Sequence, residues 1–291
     1  MNPLMSWMKQ ARLLVAASLP ECLFCLRKAP PSSELPSVCQ SCYNHIPWIC
    51  SPRCQTCGRP VGCPDCSRSR GPVPIQCNRS AVSYNSAMRE ILGQYKYRGN
   101  ERLAPILGLM LDRAYAMLQQ EQSERQRSLN LPHPAPSLHF SLFPKKHRPS
   151  APWQADLLVP VPVSAARLAE RGFNQAEQLA AAITRRRHMP QLPLLVRTHH
   201  TAKQSFKSRS ERLADMKHAF TGNRDSEVLQ SLRSLKDAIN LQAEQRPLQI
   251  ILIDDIYTTG STIRACAEAL QQLCGSLGCT AEIYALTWAR S

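Results

Sequence analysis

The sequence predicts an α/β protein with a small cysteine-rich module at its amino end. Two apolar runs of the buried-strand type, DLLVPVPV at 156–163 and IILI at 250–253, are each followed by a helical pattern. This succession is typical of a parallel sheet covered by helices. Ten of the 13 cysteines lie before residue 78, which indicates the separate module. With 291 residues and 43% apolar content, the chain is long enough to bury a full core.

Eight of these cysteines form four CxxC pairs, a spacing that turns two thiolates onto one cation. Two pairs complete a tetrahedral zinc site, so the sequence predicts up to two structural zinc ions. An interleaved pairing is as compatible with the spacing as pairing in chain order. A disulfide-rich secreted module and a CxxC redox centre are disfavoured by four consecutive pairs. In chain order the ligands are Cys22, Cys25, Cys39 and Cys42 for one site, and Cys54, Cys57, Cys63 and Cys66 for the other.

Three segments are predicted along the chain: a leading amphipathic helix over residues 1–20, a double zinc ribbon over 21–78 and an α/β domain over 79–291. The apolar stretch LLVAASL follows Lys9 and Arg12 as in a signal peptide, but it is short and leads directly into the paired cysteines. We therefore expect a helix there. No run of about 18 apolar residues occurs, so no membrane-spanning helix is predicted.

Two insertions are predicted within the α/β domain, at about 119–152 and 223–247. The first is rich in proline, serine and charged residues and has no sustained period, which is typical of an irregular segment. The second is expected to be helical, because four apolar residues share one helical face. These residues are Val228, Leu232, Leu235 and Ile239.

The chain is strongly basic, with 36 lysines and arginines against 21 acids and a formal charge of +15. This excess favours phosphate-bearing partners, nucleic acid among them, although a solvated basic surface would have the same composition. The basic residues cluster at 145–148, 185–187 and 203–212. Because the cysteines must stay reduced, we expect a cytoplasmic protein, and the leading helix leaves peripheral contact with the inner membrane open.

The stretch ILIDDIYTTGST places two adjacent acids and a small hydroxyl-rich turn between a buried strand and a helix. Backbone amides and hydroxyls at the start of a helix suit a phosphate, and they are supplied by Thr258, Thr259, Gly260, Ser261 and Thr262. Asp254 and Asp255 would repel a phosphate, so they need hydrogen-bond donors or a cation. A ribose diol supplies the donors, and ribose 5-phosphate meets all three requirements. A capped core strand without a ligand is the alternative.

A second loop is predicted at the same edge of the sheet. The strand that ends in VPVP is followed by RGFNQAEQ, where Asn174 and Glu177 have the spacing of a helix cap. Ligands of open α/β sheets bind at the carboxyl ends of the strands, which makes Arg167, Arg171 and the amides of this turn candidate ligand contacts. The two arginines could equally form surface salt bridges.

Together these motifs resemble the ComF family of ComFC- and GntX-like proteins, which are linked to bacterial DNA uptake. The final motif is similar to the phosphoribosyl-pyrophosphate loop of type I phosphoribosyltransferases. The matching pieces are the four CxxC pairs, YKYRGN, DLLVPVPV, RGFNQAEQLA, KQSFKSRSERLADMKHAF and IILIDDIYTTGST. They span most of the chain and are far more specific together than singly. The resemblance implies a type I phosphoribosyltransferase-like fold, with a mostly parallel sheet flanked by helices.

The resemblance also implies phosphoribosyl pyrophosphate, bound with Mg²⁺, as the ligand. Asp254 and Asp255 would then hold the ribose hydroxyls, and the turn at 258–262 would hold the 5-phosphate. The loop that carries Arg167, Arg171 and Asn174 would approach the pyrophosphate. Three residues of the basic segment would cover the pyrophosphate as a lid: Gln204, Arg209 and Arg212.

Two functions follow from the resemblance. The first is transfer of the phosphoribosyl group by displacement at C1 of the sugar, with Mg²⁺ and arginines stabilising the departing pyrophosphate. The sequence identifies no general base, so a nucleobase, an amine and water all stay open as acceptors. The second is a non-catalytic role in natural competence, in which zinc ribbons and basic segments contact single-stranded DNA or DNA-translocation proteins while the ribose-phosphate site senses nucleotides.

Overall fold

The chain is described from a computed structural model, which covers residues 19–68, 73–129, 151–198, 219–242 and 246–291. Almost all of the predicted leading helix lies outside these residues. The chain divides into two compact units, Met1–Ile46 and Pro47–Ser291.

The smaller unit is built around the first two CxxC pairs. Its described part contains one short helix, α1 (Gln40–Asn44), whose first turn is capped by the Cys39 side chain. Antiparallel bridges join Glu21 to Lys28 and Pro31 to Cys39. Apart from cysteines, the buried apolar residues of its described part are Leu23, Leu35, Val38 and Ile46. A metal bound by the cysteines would add stabilisation that so small a core lacks.

The larger unit contains six described strands and most of the described helices. The strands are β1 (Asn78–Ser83), β2 (Leu157–Pro160), β3 (Leu195–Arg197), β4 (Phe220–Gly222), β5 (Leu248–Tyr257) and β6 (Ala281–Arg290). The helices are α2 (Pro64–Arg68), α3 (Ser86–Tyr97), α4 (Ala104–Leu129), α5 (Ala165–Arg171), α6 (Gln175–Arg187), α7 (Ser226–Gln242) and α8 (Ser261–Ser276), with a 3₁₀ turn at Glu101–Leu103.

The central sheet has four parallel strands in the order β1-β6-β5-β2. The strands β5 and β6 pair over their whole length, from Leu248 opposite Ala281 to Tyr257 opposite Arg290. A separate antiparallel pair is formed by β3 and β4. The predicted α/β class with a mostly parallel sheet is therefore confirmed.

Helices cover both faces of the sheet, which explains why the sheet strands read as continuous apolar runs. On one face, α4 packs on β1 and β6 and against α6, which covers β2 and β5. A Cβ atom at Gly108 of α4 would lie 2.3 Å from the Cβ of Ala182 in α6, so these two helices touch backbone to side chain. On the other face, α8 packs on β5, β6 and the β3–β4 pair.

The first predicted insertion is corrected in part, because α4 continues through Leu129. Polar contacts hold its last turns where the apolar period fades. Glu121 accepts a hydrogen bond from the buried Arg79 at 2.6 Å, and the Ser123 hydroxyl accepts one from the Trp153 amide at 2.9 Å. Residues 130–150 lie outside the described part of the chain.

The helix predicted for the second insertion is confirmed as α7. Leu232 and Ile239 are buried in the core on the α8 side of the sheet, and Val228 and Leu235 pack against that core. In the described parts of the chain, every helix is too short or too polar to cross a bilayer.

Candidate functional site

A cavity of about 180 Å³ opens at the carboxyl ends of β2 and β5. It is lined by the loop after β2, the end of β5, the turn that leads into α8 and the last turn of α3. Six charged side chains line it: Lys96, Arg167, Arg171, Arg197, Asp254 and Asp255. The four cations outnumber the two carboxylates, so the charged side chains of the cavity favour an anionic ligand.

The two acids sit in different environments. Asp255 forms an ion pair with Lys96, whose side chain is 15% exposed against 11% for Asp255. The Asp255 amide donates to Oδ1 of Asp254 at 2.8 Å. Desolvation and the neighbouring Asp255 carboxylate raise the pKa of Asp254 to about 7, although Lys96 and this amide act in the opposite direction. A hydrogen-bond donor or a cation from a ligand would therefore stabilise the ionised form of Asp254.

The turn after β5 is shaped by Gly260. Its φ of +79° lies in the left-handed region, and a Cβ atom there would lie 2.2 Å from the Tyr257 hydroxyl oxygen. The helix α8 begins at Ser261 without a side-chain cap from Gly260, and the Ser261 amide donates to the Thr259 hydroxyl at 3.5 Å. The hydroxyls of Thr259 and Ser261 lie 3.1 Å apart. These groups are the donors that a phosphate needs at a helix start.

The loop after β2 is held by two helix caps. Ser164 caps α5, and Asn174 caps α6 by accepting a hydrogen bond from the Ala176 amide at 3.1 Å. The Asn174 side chain also donates to the Val161 carbonyl at 3.2 Å, which confirms the predicted cap and ties the loop to the strand end. Asn174 thus holds the loop, and its contact with a ligand stays a prediction.

Two arginines of this loop line the cavity as the sequence predicts. Arg171 donates to the Gln175 side chain at 2.9 Å, and its guanidinium lies 5.0 Å from the centre of the Tyr97 ring. Burial lowers the pKa of Arg197, and the positive charge of the nearby Arg167 lowers it further. Crowded cations of this kind favour a polyanionic ligand.

Sequence reasoning missed two residues of the cavity. Lys96 lies within YKYRGN, a stretch that carries the family resemblance, but nothing in its spacing predicts the ion pair with Asp255. Arg197 ends β3, and its guanidinium lies 5.2 Å from the centre of the Phe220 ring on β4. Because β3 and β4 form a separate pair, no local pattern indicates that this strand end reaches the cavity.

Some predicted residues cannot be placed. Gln204, Arg209 and Arg212 lie outside the described residues, as do the basic clusters at 145–148 and 203–212. In the third basic cluster, Arg186 and Arg187 both donate to Asp112, at 3.0 and 2.6 Å. This ion-paired cluster is therefore a less open basic surface than its sequence suggests.

The eight cysteines of the CxxC pairs form two groups in chain order. The first consists of Cys22, Cys25, Cys39 and Cys42, and the second of Cys54, Cys57, Cys63 and Cys66. Within each group the ligand atoms lie within 4.8 Å of one another. In the first group the sulfurs of Cys25 and Cys39 are 3.9 Å apart, and in the second those of Cys57 and Cys63 are 3.5 Å apart. A tetrahedral zinc with bonds of about 2.3 Å needs about 3.8 Å between sulfurs, so both groups fit zinc.

Backbone amides contact cysteine sulfur in both groups. Burial opposes ionisation of Cys22, but amides that include those of Phe24 and Cys39 outweigh it and lower the pKa of its thiol to about 7. The Cys57 amide approaches the sulfur of Cys54 at 3.5 Å. Because burial and neighbouring cysteines raise the pKa of Cys42 and Cys66, those two must lose a proton to the solvent when a metal binds.

The fold and these sites define a class of protein: a parallel α/β protein with a polyanion-suited cavity at the carboxyl ends of its strands and two four-cysteine clusters that fit a double zinc ribbon. The chain belongs to the ComF family. It is 31% identical over 241 residues to Competence protein ComFC of Bacillus subtilis (strain 168), an alignment that covers 80% of this chain and 77% of the relative.

Two further relatives align over a similar share of the chain at lower identity. Competence protein ComFC of Streptococcus pneumoniae (strain ATCC BAA-255 / R6) is 26% identical over 240 residues, with 82% of each chain covered. DNA utilization protein YhgH of Salmonella typhi is 26% identical over 252 residues, which cover 86% of this chain and 89% of the relative. No family model matches the chain.

Proposed function

We propose that the cavity binds phosphoribosyl pyrophosphate with Mg²⁺ and that the protein uses this ligand in natural competence and DNA uptake. The observation that supports the ligand most strongly is that a donor-rich turn, an acidic pair and three arginines meet in one cavity. A phosphate alone would not need the acids, and a neutral sugar would not need the cations.

The turn, the acidic pair and the arginines each contact a different part of the ligand in this assignment. The turn at 258–262 receives the 5-phosphate on its amides and hydroxyls. Asp254 and Asp255 accept hydrogen bonds from the ribose hydroxyls, and the ion pair with Lys96 holds the Asp255 side chain in place. Arg167, Arg171 and Arg197 are directed at the pyrophosphate, and Mg²⁺ bound with the ligand would offset the remaining charge.

The chemistry that this arrangement supports is displacement of pyrophosphate from C1 of the ribose. The arginines stabilise negative charge that develops on the leaving group. Among the described residues that line the cavity there is no histidine, and the two carboxylates are occupied by the ribose in this assignment. The described residues therefore leave a nucleobase, an amine and water open as acceptors.

The physiological part of the proposal comes from the relatives. Two of them carry the name competence protein and another is named for DNA utilization, and each alignment covers three quarters or more of both chains. The basic charge of +15 agrees with work on a nucleic-acid pathway.

Calorimetric titration of phosphoribosyl pyrophosphate with Mg²⁺ tests the ligand. Wild type is expected to bind, and the Asp254→Asn, Asp255→Asn double variant is expected to lose at least tenfold in affinity. Asp156→Asn is the matched control, because Asp156 is also an ion-paired acid with 10% exposure but lies at the amino end of β2. Equal affinities in wild type and the double variant would refute the proposal.

The non-catalytic alternative is a module that contacts single-stranded DNA or a competence partner through its zinc ribbons and basic segments. The net charge of +15 supports this alternative, because lysines and arginines bind the DNA backbone. Such binding weakens steeply as the salt concentration rises. If wild type binds single-stranded DNA at low salt but neither binds nor consumes phosphoribosyl pyrophosphate, this alternative replaces the proposal.

A further inference from the structure

Arg290, the last residue of β6, connects two sites of the larger unit. It lies beside Tyr257, the last residue of β5, in the parallel register. Arg290 is only 3% exposed. A buried guanidinium has five donors to satisfy, so the positions of its acceptors show what it holds together.

One set of acceptors belongs to the second cysteine group. Nε of Arg290 donates to the Cys57 carbonyl at 3.1 Å, and Nη2 donates to the Cys57 sulfur at 3.2 Å. The same carbonyl accepts a hydrogen bond from the Asn78 side chain at 3.1 Å, so this knuckle is fixed between β1 and β6. Four thiolates around one Zn²⁺ leave a net negative charge, which the adjacent guanidinium offsets.

The other set belongs to the turn that is proposed to hold phosphate. Nη1 donates to the carbonyls of Tyr257 and Thr258 at 3.1 and 2.9 Å. Because these peptide bonds are planar and trans, a carbonyl that faces Arg290 directs the next amide N–H the opposite way. The hydrogen bonds of Arg290 thus orient the amides of Thr258 and Thr259 away from the guanidinium.

Tyr257 carries the connection further into the turn. Its ring centre lies 4.8 Å from the Arg290 guanidinium, and its hydroxyl oxygen occupies the space where a side chain at Gly260 would be. A shift of Tyr257 therefore changes the room available to Gly260 and to the first residues of α8. Cys57, Arg290, Tyr257 and Gly260 form one continuous set of contacts.

We propose that Arg290 is a positioning residue that couples metal binding at Cys54, Cys57, Cys63 and Cys66 to phosphate binding at the 258–262 turn. This inference rests on the proposed function, because it explains what holds the proposed phosphate-binding turn in its conformation. The guanidinium is a rigid plane, so it cannot keep both sets of contacts if the knuckle moves. Coupling of affinities is reciprocal: bound phosphate fixes the two carbonyls and thereby raises the affinity of this cysteine group for its metal. We expect the higher affinity to appear as slower release of the metal.

The test uses the full-length zinc protein and ribose 5-phosphate as the probe. Arg290→Lys keeps the charge but cannot span both sets of acceptors, so we expect at least a tenfold loss of affinity with an unchanged zinc content. Arg59→Lys is the matched control, because Arg59 lies in the same cysteine loop and donates to the Ser291 carbonyl rather than to the turn. Arg290 also donates to the Ser291 carbonyl, so this control additionally shows whether that shared acceptor matters. Arg59→Lys should bind within twofold of wild type.

A second measurement separates positioning from general loss of structure, because its first comparison uses wild type alone. Zinc release to a chromogenic chelator is followed in wild type with and without saturating ribose 5-phosphate. The ligand should slow release of one of two zinc equivalents at least threefold in wild type and in Arg59→Lys, and should have no effect on that equivalent in Arg290→Lys.

The outcomes distinguish the two proposals. If wild type binds ribose 5-phosphate but its zinc release is unchanged by the ligand, or if Arg290→Lys binds as tightly as wild type, the coupling is wrong and the phosphate site stands. If wild type binds neither ribose 5-phosphate nor phosphoribosyl pyrophosphate, the proposed function is wrong and the coupling is wrong with it.

Discussion

Ligand affinity should depend on the ionisation of Asp254. Burial and the adjacent Asp255 raise the pKa of Asp254 to about 7 in the free protein. A carboxylate that accepts hydrogen bonds from ribose hydroxyls must be ionised, so the ligand binds the deprotonated form. Affinity should therefore rise with pH and level off above pH 7.

The expected size follows from a single titration. Each pH unit below the pKa costs up to tenfold in affinity, so the dissociation constant should weaken about 30-fold between pH 8 and pH 5.5. The assay is calorimetric titration of phosphoribosyl pyrophosphate with Mg²⁺ across this range. Phosphate groups of the ligand titrate near pH 6 and add a step of their own.

The Asp254→Asn variant separates these two steps. It should bind more weakly at pH 8 and should keep only the step that belongs to the ligand. If wild type and Asp254→Asn show the same pH profile, or if wild type binds more tightly as the pH falls, then Asp254 does not contact the ligand as a carboxylate and the assignment of the acidic pair is wrong.

Two further predictions concern stability. Lys96→Met should lower the free energy of unfolding by about 3 kcal/mol at pH 8 and by less at pH 5, as measured by urea denaturation. Without Lys96 the pKa of Asp254 rises further, which opposes its ionisation in the folded protein at pH 8 and has no effect at pH 5, where Asp254 is protonated with or without Lys96. Lys236→Met should show no such pH difference, because Lys236 is half-buried and donates to the Gly278 carbonyl rather than to a carboxylate. Gly108→Ala should destabilise by about 1–2 kcal/mol because its Cβ would meet Ala182 at 2.3 Å, whereas Gly93→Ala, with open space in α3, should stabilise by about 0.5–1 kcal/mol; thermal unfolding that moved both in one direction would contradict this packing.

Much of the architecture could be predicted because it is written in local patterns. The apolar run at 250–253 lies within β5, and a helix follows the turn as the sequence predicts, since a buried parallel strand has a continuous apolar signature. The cysteine spacing likewise predicts both groups, although spacing alone could not choose chain order over interleaving. That choice depends on where the knuckles pack in three dimensions.

The parts that could not be predicted depend on contacts between distant segments. The last turns of α4 are polar and break the apolar period, yet they are held by contacts to Arg79 on β1 and to Trp153 before β2. Lys96 and Arg197 reach the cavity from α3 and from the β3–β4 pair, and no spacing along the chain indicates such convergence.

Arg290 shows the same limitation. No motif surrounds this arginine in the sequence. Its contact with the Tyr257 carbonyl arises from its register opposite Tyr257 in the sheet. A parallel pairing of β5 and β6 could be expected from their apolar patterns. The contact with Cys57 could not, because it depends on how a cysteine knuckle folds back onto the sheet.

The central claim is that one ligand spans the acidic pair and the turn, and a crystal structure of the protein soaked with phosphoribosyl pyrophosphate and Mg²⁺ tests it most directly. We expect electron density for the 5-phosphate at residues 258–262, with the ribose hydroxyls on Asp254 and Asp255 and the pyrophosphate towards Arg167 and Arg197. Density for the ligand at another surface, or a phosphate-free turn at saturating ligand, would contradict the account.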